Sequence, residues 1–310
     1  MRPLGASGAR VGVVGLGTTP WGRGTDRFEA REQVNMLLEA GGNLIDICAH
    51  TTEPGFVHEA LGPHRRATFI ALRTRVAPSR RELLVTLDRH IEETGIGYAD
   101  LWLVDGWDDE ATWEEVVAAL AVASATGRAM YAGACPSHAW QAALVGAGLA
   151  AHQDRSSLTA MAFPYSLLDA RAATDLVDVS SALGCGLLAT RPLAGGVLTG
   201  KYRHATPPDS RGAGEHHAQS LHAYRRSWAR PVVEAVCAAA DGLGLSPGAL
   251  ALAWVRDRPE VSSVLVGART THQWRAALAS AEVTVPPEIR QVLDDLAAEA
   301  VDLGQDDWEV

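Results

Sequence analysis

The chain has 310 residues, 47% hydrophobic, 21% charged and only 6% aromatic, with a formal net charge of -10. This suits one sizeable α/β domain, read here as residues 1–310, and the acidic balance without a long basic run opposes a nucleic-acid or anionic-membrane surface. Four scattered cysteines without CxxC spacing, Cys48, Cys135, Cys185 and Cys237, sit in apolar stretches and read as packed thiols, so neither disulfides nor a metal site is expected.

The amino terminus carries Arg2 and then a Gly-rich, hairpin-like stretch without the apolar block of a signal peptide. No apolar run is long enough to span a bilayer, and a cytoplasmic protein acting on a small molecule is expected, its oligomeric state left open. Eight short apolar runs then alternate with helical patterns: 10–16, 43–48, 68–72, 99–104, 129–134, 158–163, 186–190 and 261–266. Eight strand-helix units favour a (β/α)8 TIM barrel, here with an N-terminal β-hairpin and extra C-terminal helices. Helix starts are signalled by Ser79-Arg80-Arg81-Glu82, Thr112-Trp113-Glu114-Glu115 and Ser246-Pro247, and helix ends by Gly62, Gly95 and Gly127. The main irregular stretch runs from about Lys201 to Gln219 and reads as a lid; its Glu215, His216 and His217, with His222, lack the spacing of strong metal ligands. Gly12-Val13-Val14-Gly15-Leu16-Gly17 imitates a dinucleotide fingerprint, but Pro20 falls where the third glycine belongs and no helix opens after the turn.

Asp46, in the buried run Leu44-Ile45-Asp46-Ile47-Cys48, must be paired or functional, because a carboxylate at the carboxyl end of a buried strand is costly otherwise. This segment, with Gly15-Leu16-Gly17-Thr18 and Trp21-Gly22, Asp100-Leu101, Tyr165-Ser166-Leu167-Leu168, Pro192 to Tyr202, and Gly267-Ala268-Arg269-Thr270 with Gln273, resembles the aldo-keto reductases over nearly the whole chain. The resemblance implies a barrel binding NADP(H) in extended form. Leu193, Gly195, Gly196 and Lys201 would wrap the pyrophosphate, and Gly267, Arg269 and Gln273 would address the adenosine 2'-phosphate end. A guanidinium forks well onto phosphate.

The reacting half departs from that pattern. By position, the family's Tyr falls on Thr51, its Lys on Arg75 and its His on Asp105; only the Asp is kept, as Asp46. An aliphatic hydroxyl is a far poorer acid than a phenol, and an arginine stays protonated, so the usual relay is not restored. The nicotinamide contacts fall on Cys135-Pro136, Met161 or Ala162, and Thr190, which supply neither side-chain amide nor aromatic stacking. The cofactor is therefore left unassigned: the phosphate motifs imply NADP(H), while the replaced contacts argue against ordinary hydride transfer.

The remaining groups suggest two carboxylates around one guanidinium, with Asp105 as general acid or base, Asp46 holding Arg75, and Arg75 binding an anionic or carbonyl group. His50 is a second acid-base candidate, and Trp21, Thr51 and Trp107 line the expected substrate pocket. A buried structural ion cluster is the competing reading. The leading expectation is redox-neutral acid-base chemistry by a dehydratase, lyase, cyclase or isomerase, with specialised metabolism as a setting. The alternatives are an NADP(H)-dependent oxidoreductase with a rewired proton donor and a non-catalytic binding or regulatory relative.

Overall fold

A computed structural model describes residues 1–49, 52–107, 112–152, 157–170, 173–207, 224 and 227–299. Two short strands, β1 (Arg2–Pro3) and β2 (Arg10–Val11), pair antiparallel as a hairpin. Eight parallel strands follow: β3 (Val14–Gly17), β4 (Leu44–Cys48), β5 (Phe69–Arg75), β6 (Ala99–Asp105), β7 (Ala129–Cys135), β8 (Leu158–Pro164), β9 (Gly186–Thr190) and β10 (Val261–Val266). They close in sequence order, with β10 lying between β9 and β3. This is the (β/α)8 barrel that the alternation of apolar runs and helical patterns implies.

Strand periodicity sorts the side chains into two cores. Ile45, Ile47, Ile70, Leu72 and Trp102 face outward into the layer shared with the helices. Leu44, Ala71, Leu101, Leu103, Ala160, Ala162, Leu188 and Leu265 fill the barrel, joined by Leu4 and Val11 of the hairpin. The hairpin is tied there by Ser262 Oγ, which donates to the Pro3 carbonyl at 3.0 Å, and by Arg2, which donates to the Val261 carbonyl at 3.0 Å. The false fingerprint glycines belong to this packing: a Cβ on Gly15 would lie 2.8 Å from Leu265 and 3.0 Å from Leu44. Residues 10–16, read as one run, divide into β2 and β3, because Gly12 sits between them with its N–H donating to Asn43 Oδ1.

The helices are α1 (Arg27–Glu39), α2 (Pro54–Leu61), α3 (Arg80–Thr94), α4 (Trp113–Ala125), α5 (Ala139–Ala151), α6 (Thr174–Leu183), α7 (Arg230–Gly242), α8 (Pro247–Arg256), α9 (Thr271–Ala279) and α10 (Pro287–Glu299). Ser79 and Ser246 cap α3 and α8 through their side chains, accepting from the Glu82 and Ala249 amides, and Gly95 ends α3 in the left-handed conformation. Thr112 precedes α4 without a side-chain cap bond, and Glu115, the other half of the expected capping box, accepts instead from the Arg80 amide. After β10, α9 and α10 both pack onto the outside, the second being the extra C-terminal helix. Among the described residues, no single helix is long and apolar enough to cross a membrane.

Candidate active site

At the carboxyl ends of the strands, the first ion pair differs from the one expected. Arg73 Nη2 donates to both Asp46 oxygens at 3.0 Å, with the Arg73 side chain 12% and the Asp46 side chain 7% exposed. Arg75, assigned by position, is exposed and makes no ion pair among the described residues. The reason is strand length: β5 runs three residues past Leu72, where the apolar run stops, and continues the inward series Phe69, Ala71, Arg73. Inside the barrel Arg73 lies beside Cys48, its register partner, while Arg75 is level with Asp105 at the rim. The guanidinium between two carboxylates is therefore Arg73.

Burial by itself would lower the Arg73 pKa, but Asp46 and Asp105, with the sulfur atoms of Cys135 and Cys48 nearby, outweigh it and hold the cation protonated. Its Nε is buried and finds no hydrogen-bond partner among the described residues. Cys135 is buried too, and burial drives its pKa well upward, with Arg73 opposing; it is a packed thiol and not a ready thiolate. Asp105 is half-buried on the wall of the cleft above this cluster.

From this cluster a continuous cleft of about 650 Å³ crosses the barrel mouth. Leu193, Gly195, Gly196, Lys201, Gly267, Arg269 and Gln273 all line it, together with Asp46 and Asp105. Its cations are Arg23, Arg73, Arg191, Lys201 and Arg269 against the carboxylates Asp46 and Asp105, an excess of positive charge in an acidic chain. The loop after β9 holds Gly195 and Gly196 at φ 68° and 97°, and a Cβ on Gly196 would come 2.9 Å from Lys201 Nζ. Thr270 caps α9 by accepting from the Gln273 amide, and Gln273 Oε1 in turn accepts from the Arg269 N–H at 2.9 Å. The arrangement fits an extended polyanion such as the phosphate-bearing part of NADP(H), with Arg269 and Lys201 as its cations. At the other end, Met161 is buried in the layer shared with the helices, Ala162 in the barrel packing, and Thr190 lies on the wall, so those positions offer no amide or aromatic contact.

A model of the Aldo/keto reductase family matches residues 13–298. The chain belongs to the aldo/keto reductase family. Among its relatives are the uncharacterized oxidoreductase YrpG of Bacillus subtilis (strain 168), 26% identical over 94% of both chains, and protein tas of Escherichia coli (strain K12), 26% identical over 91% of this chain and 93% of the relative. L-glyceraldehyde 3-phosphate reductase of Escherichia coli O157:H7 is 31% identical over 63% of this chain and 57% of its own.

Other expectations for this aldo/keto reductase meet different fates. Trp21 does not line the cleft: it is fully buried, and its indole N–H donates to Gln33 Oε1 at 2.9 Å, a core role set by the docking of α1. Trp107 does not line this cleft either: it is half-buried edge-on against Trp140 and lines a small apolar cavity with Val104, Ala134 and Pro136. His50 and Thr51, and His216, His217 and His222 of the irregular stretch, lie outside the described residues. Among the cleft residues that escaped sequence reasoning are Arg73 and Tyr224. Arg73 was discoverable from the period-two continuation of β5. Tyr224 was not: it reaches the cleft from a distant segment, its hydroxyl donating to Asp169 Oδ1 at 2.8 Å while Ser166 Oγ donates to Asp169 Oδ2 at 2.6 Å. Burial raises the Asp169 pKa against the pull of these two bonds and of Arg191, and burial together with Asp169 raises that of Tyr224.

Proposed function

We propose that this aldo/keto reductase is an NADP(H)-dependent oxidoreductase of small carbonyl compounds in which Arg73, and not a tyrosine, holds the carbonyl oxygen. The observation that carries this reading is the single cleft joining the phosphate-ready residues Lys201 and Arg269 to the Asp46–Arg73–Asp105 cluster. Family membership and the oxidoreductase and reductase names of the relatives support it over the redox-neutral chemistry that the replaced residues suggested. NADP(H), when bound, would supply the hydride.

The protein's own share is positioning and charge. Asp46 fixes the Arg73 guanidinium, whose remaining N–H groups offer a charge-assisted bond to an oxygen that gains negative charge as the carbonyl is reduced. Arginine is too weak an acid to give up that proton. Asp105, on the cleft wall, relays a proton from solvent to the oxygen and, in the oxidative direction, takes it from the alcohol. Hydride plus proton complete the alcohol, so the step balances without another reactant.

Calorimetric titration with NADPH, followed by reduction of a small aldehyde with cofactor deuterated at C4, tests the proposal. Binding and stereospecific transfer of deuterium to the carbonyl carbon are expected. No binding at millimolar cofactor would overturn it.

A further inference from the structure

Five cations line the cleft among the described residues, and four have a place already. Arg73 is held by Asp46, Lys201 and Arg269 stand at the phosphate-ready end, and Arg23 belongs with Arg269, because a Cβ on the adjoining Gly24 would come 3.1 Å from Arg269 Cδ. Arg191 is left over. It is exposed in the cleft directly after β9. Its backbone is strained: Arg191 has φ 49°, and among the described residues Ala194 is the only other non-glycine residue with a positive φ. Pro192 follows, and a residue before proline is pushed toward extended backbone, so an arginine is harder to hold there than a glycine. Strain of this kind persists where the surroundings over-determine it, and it gathers at ligand sites.

The groups that hold Arg191 lie on the β8 side, away from β10 and Arg269. Its guanidinium stands beside the Tyr224 hydroxyl and within reach of the charge of Asp169, a buried residue of the loop after β8. In the closed ring of eight, three strands separate β9 from β5 in either direction, so Arg191 and Arg73 stand on opposite walls of one cleft. We infer that the substrate is an oxo acid, a carbonyl compound whose carboxylate is held by Arg191 while Arg73 holds the carbonyl oxygen. A planar guanidinium takes a carboxylate through two parallel bonds. The local charge selects a monoanion: Asp46 and Asp105 offset Arg73, and Asp169 offsets part of Arg191, which leaves too little positive charge for a phosphate dianion. Opposite walls also require carbons between the two groups, since a carboxylate bonded to the carbonyl carbon would reach only one guanidinium. The inference rests on the carbonyl-reductase reading, which places the carbonyl oxygen at Arg73, and its test is separable from it.

Calorimetry of the full chain with succinamate and butanamide measures the site without turnover, because both carry an amide carbonyl that is not reduced and they differ only in the carboxylate. Succinamate is expected to bind more tightly than butanamide and than oxamate, whose carboxylate adjoins its carbonyl. Arg191→Gln should weaken succinamate roughly 10- to 100-fold, the loss of a charge-assisted bond, with a much smaller change for butanamide. Arg191→Gly should give the same loss in a protein that unfolds as cooperatively as the wild type, since glycine takes φ 49° without strain. In turnover with NADPH, Arg191→Gln should raise KM for succinic semialdehyde far more than KM for butanal. Equal affinity of the wild type for succinamate and butanamide would overturn the inference, as would weaker NADPH binding by Arg191→Gln with succinamate binding unchanged, which would assign this cation to the cofactor. Succinamate binding that depends on Arg191 in a protein that reduces no carbonyl would leave the carboxylate site standing and remove the reductase reading.

Discussion

The two halves of the cleft use positive charge in opposite ways. At the phosphate-ready end, Lys201 and Arg269 line the cleft and neither forms an ion pair among the described residues, so both charges remain available to an anionic ligand. At the reacting end, Arg73 is committed to Asp46, and its charge reaches a ligand only through the N–H groups that this pairing leaves over. The first arrangement buys affinity at little cost to the empty protein, because exposed cations stay hydrated. The second is a preorganised dipole whose ions have already lost most of their water, and removing either partner leaves the other stranded.

The comparison breaks most visibly at Asp46. Asp46→Ala should destabilise the protein by about 3–5 kcal/mol, the usual consequence of leaving one buried charge of a pair alone, as read from urea unfolding; a loss below about 1 kcal/mol would mean that the pair is solvated. Arg269→Ala should show the opposite profile, with unfolding unchanged and NADPH affinity lower by about 10- to 100-fold, equivalent to losing a charge-assisted bond of about 1.5–3 kcal/mol. Equal NADPH affinity in the variant would remove Arg269 from the cofactor end.

A third prediction concerns Asp169, which anchors the cleft residue Tyr224. Because the folded-state pKa of Asp169 is raised, chiefly by burial, its contribution to stability is complete below the unfolded value of about 3.9 and is lost as pH rises through the folded value. Relative to Asp169→Asn, the wild type should lose stability with rising pH in that window by up to about 1.4 kcal/mol per pH unit. Parallel unfolding curves for the two proteins from pH 4 to 7 would contradict it. The smallest effect is expected at Arg75: Arg75→Ala should alter stability by no more than about 0.5 kcal/mol and leave turnover intact, which separates it from Arg73. A collapse of activity in that variant would restore the position-based assignment.

Much of the fold was legible because it depends on local pattern. Eight apolar runs, each bounded by turn residues, stand for eight strands whose inner and outer faces must both be buried, and Ser79, Ser246 and Gly95 mark helix ends by chemistry confined to a few neighbours. The residues of the cleft loops after β9 and β10 were legible for a related reason. Leu193 to Lys201 and Gly267 to Gln273 are contiguous segments in which the backbone conformation and the side-chain set come from the same few residues.

The reacting end was harder to read, because its members meet across strands. Choosing between Arg73 and Arg75 requires the register of β5 against β4 and β6, and a misplaced strand end moves the cation by a full step of the inward series. Trp21 shares a sequence motif with residues of the mouth yet is drawn into the core by α1 and Gln33. The sequence by itself determined the closed parallel barrel and the cations of the loops after β9 and β10, since each follows from residue type and short-range pattern. Only the tertiary structure decided that Arg73 is the buried cation, that Tyr224 reaches the cleft and meets Asp169, and that Trp107 packs edge-on against Trp140. These are contacts between residues far apart in the chain, set by how strands align and helices dock around them.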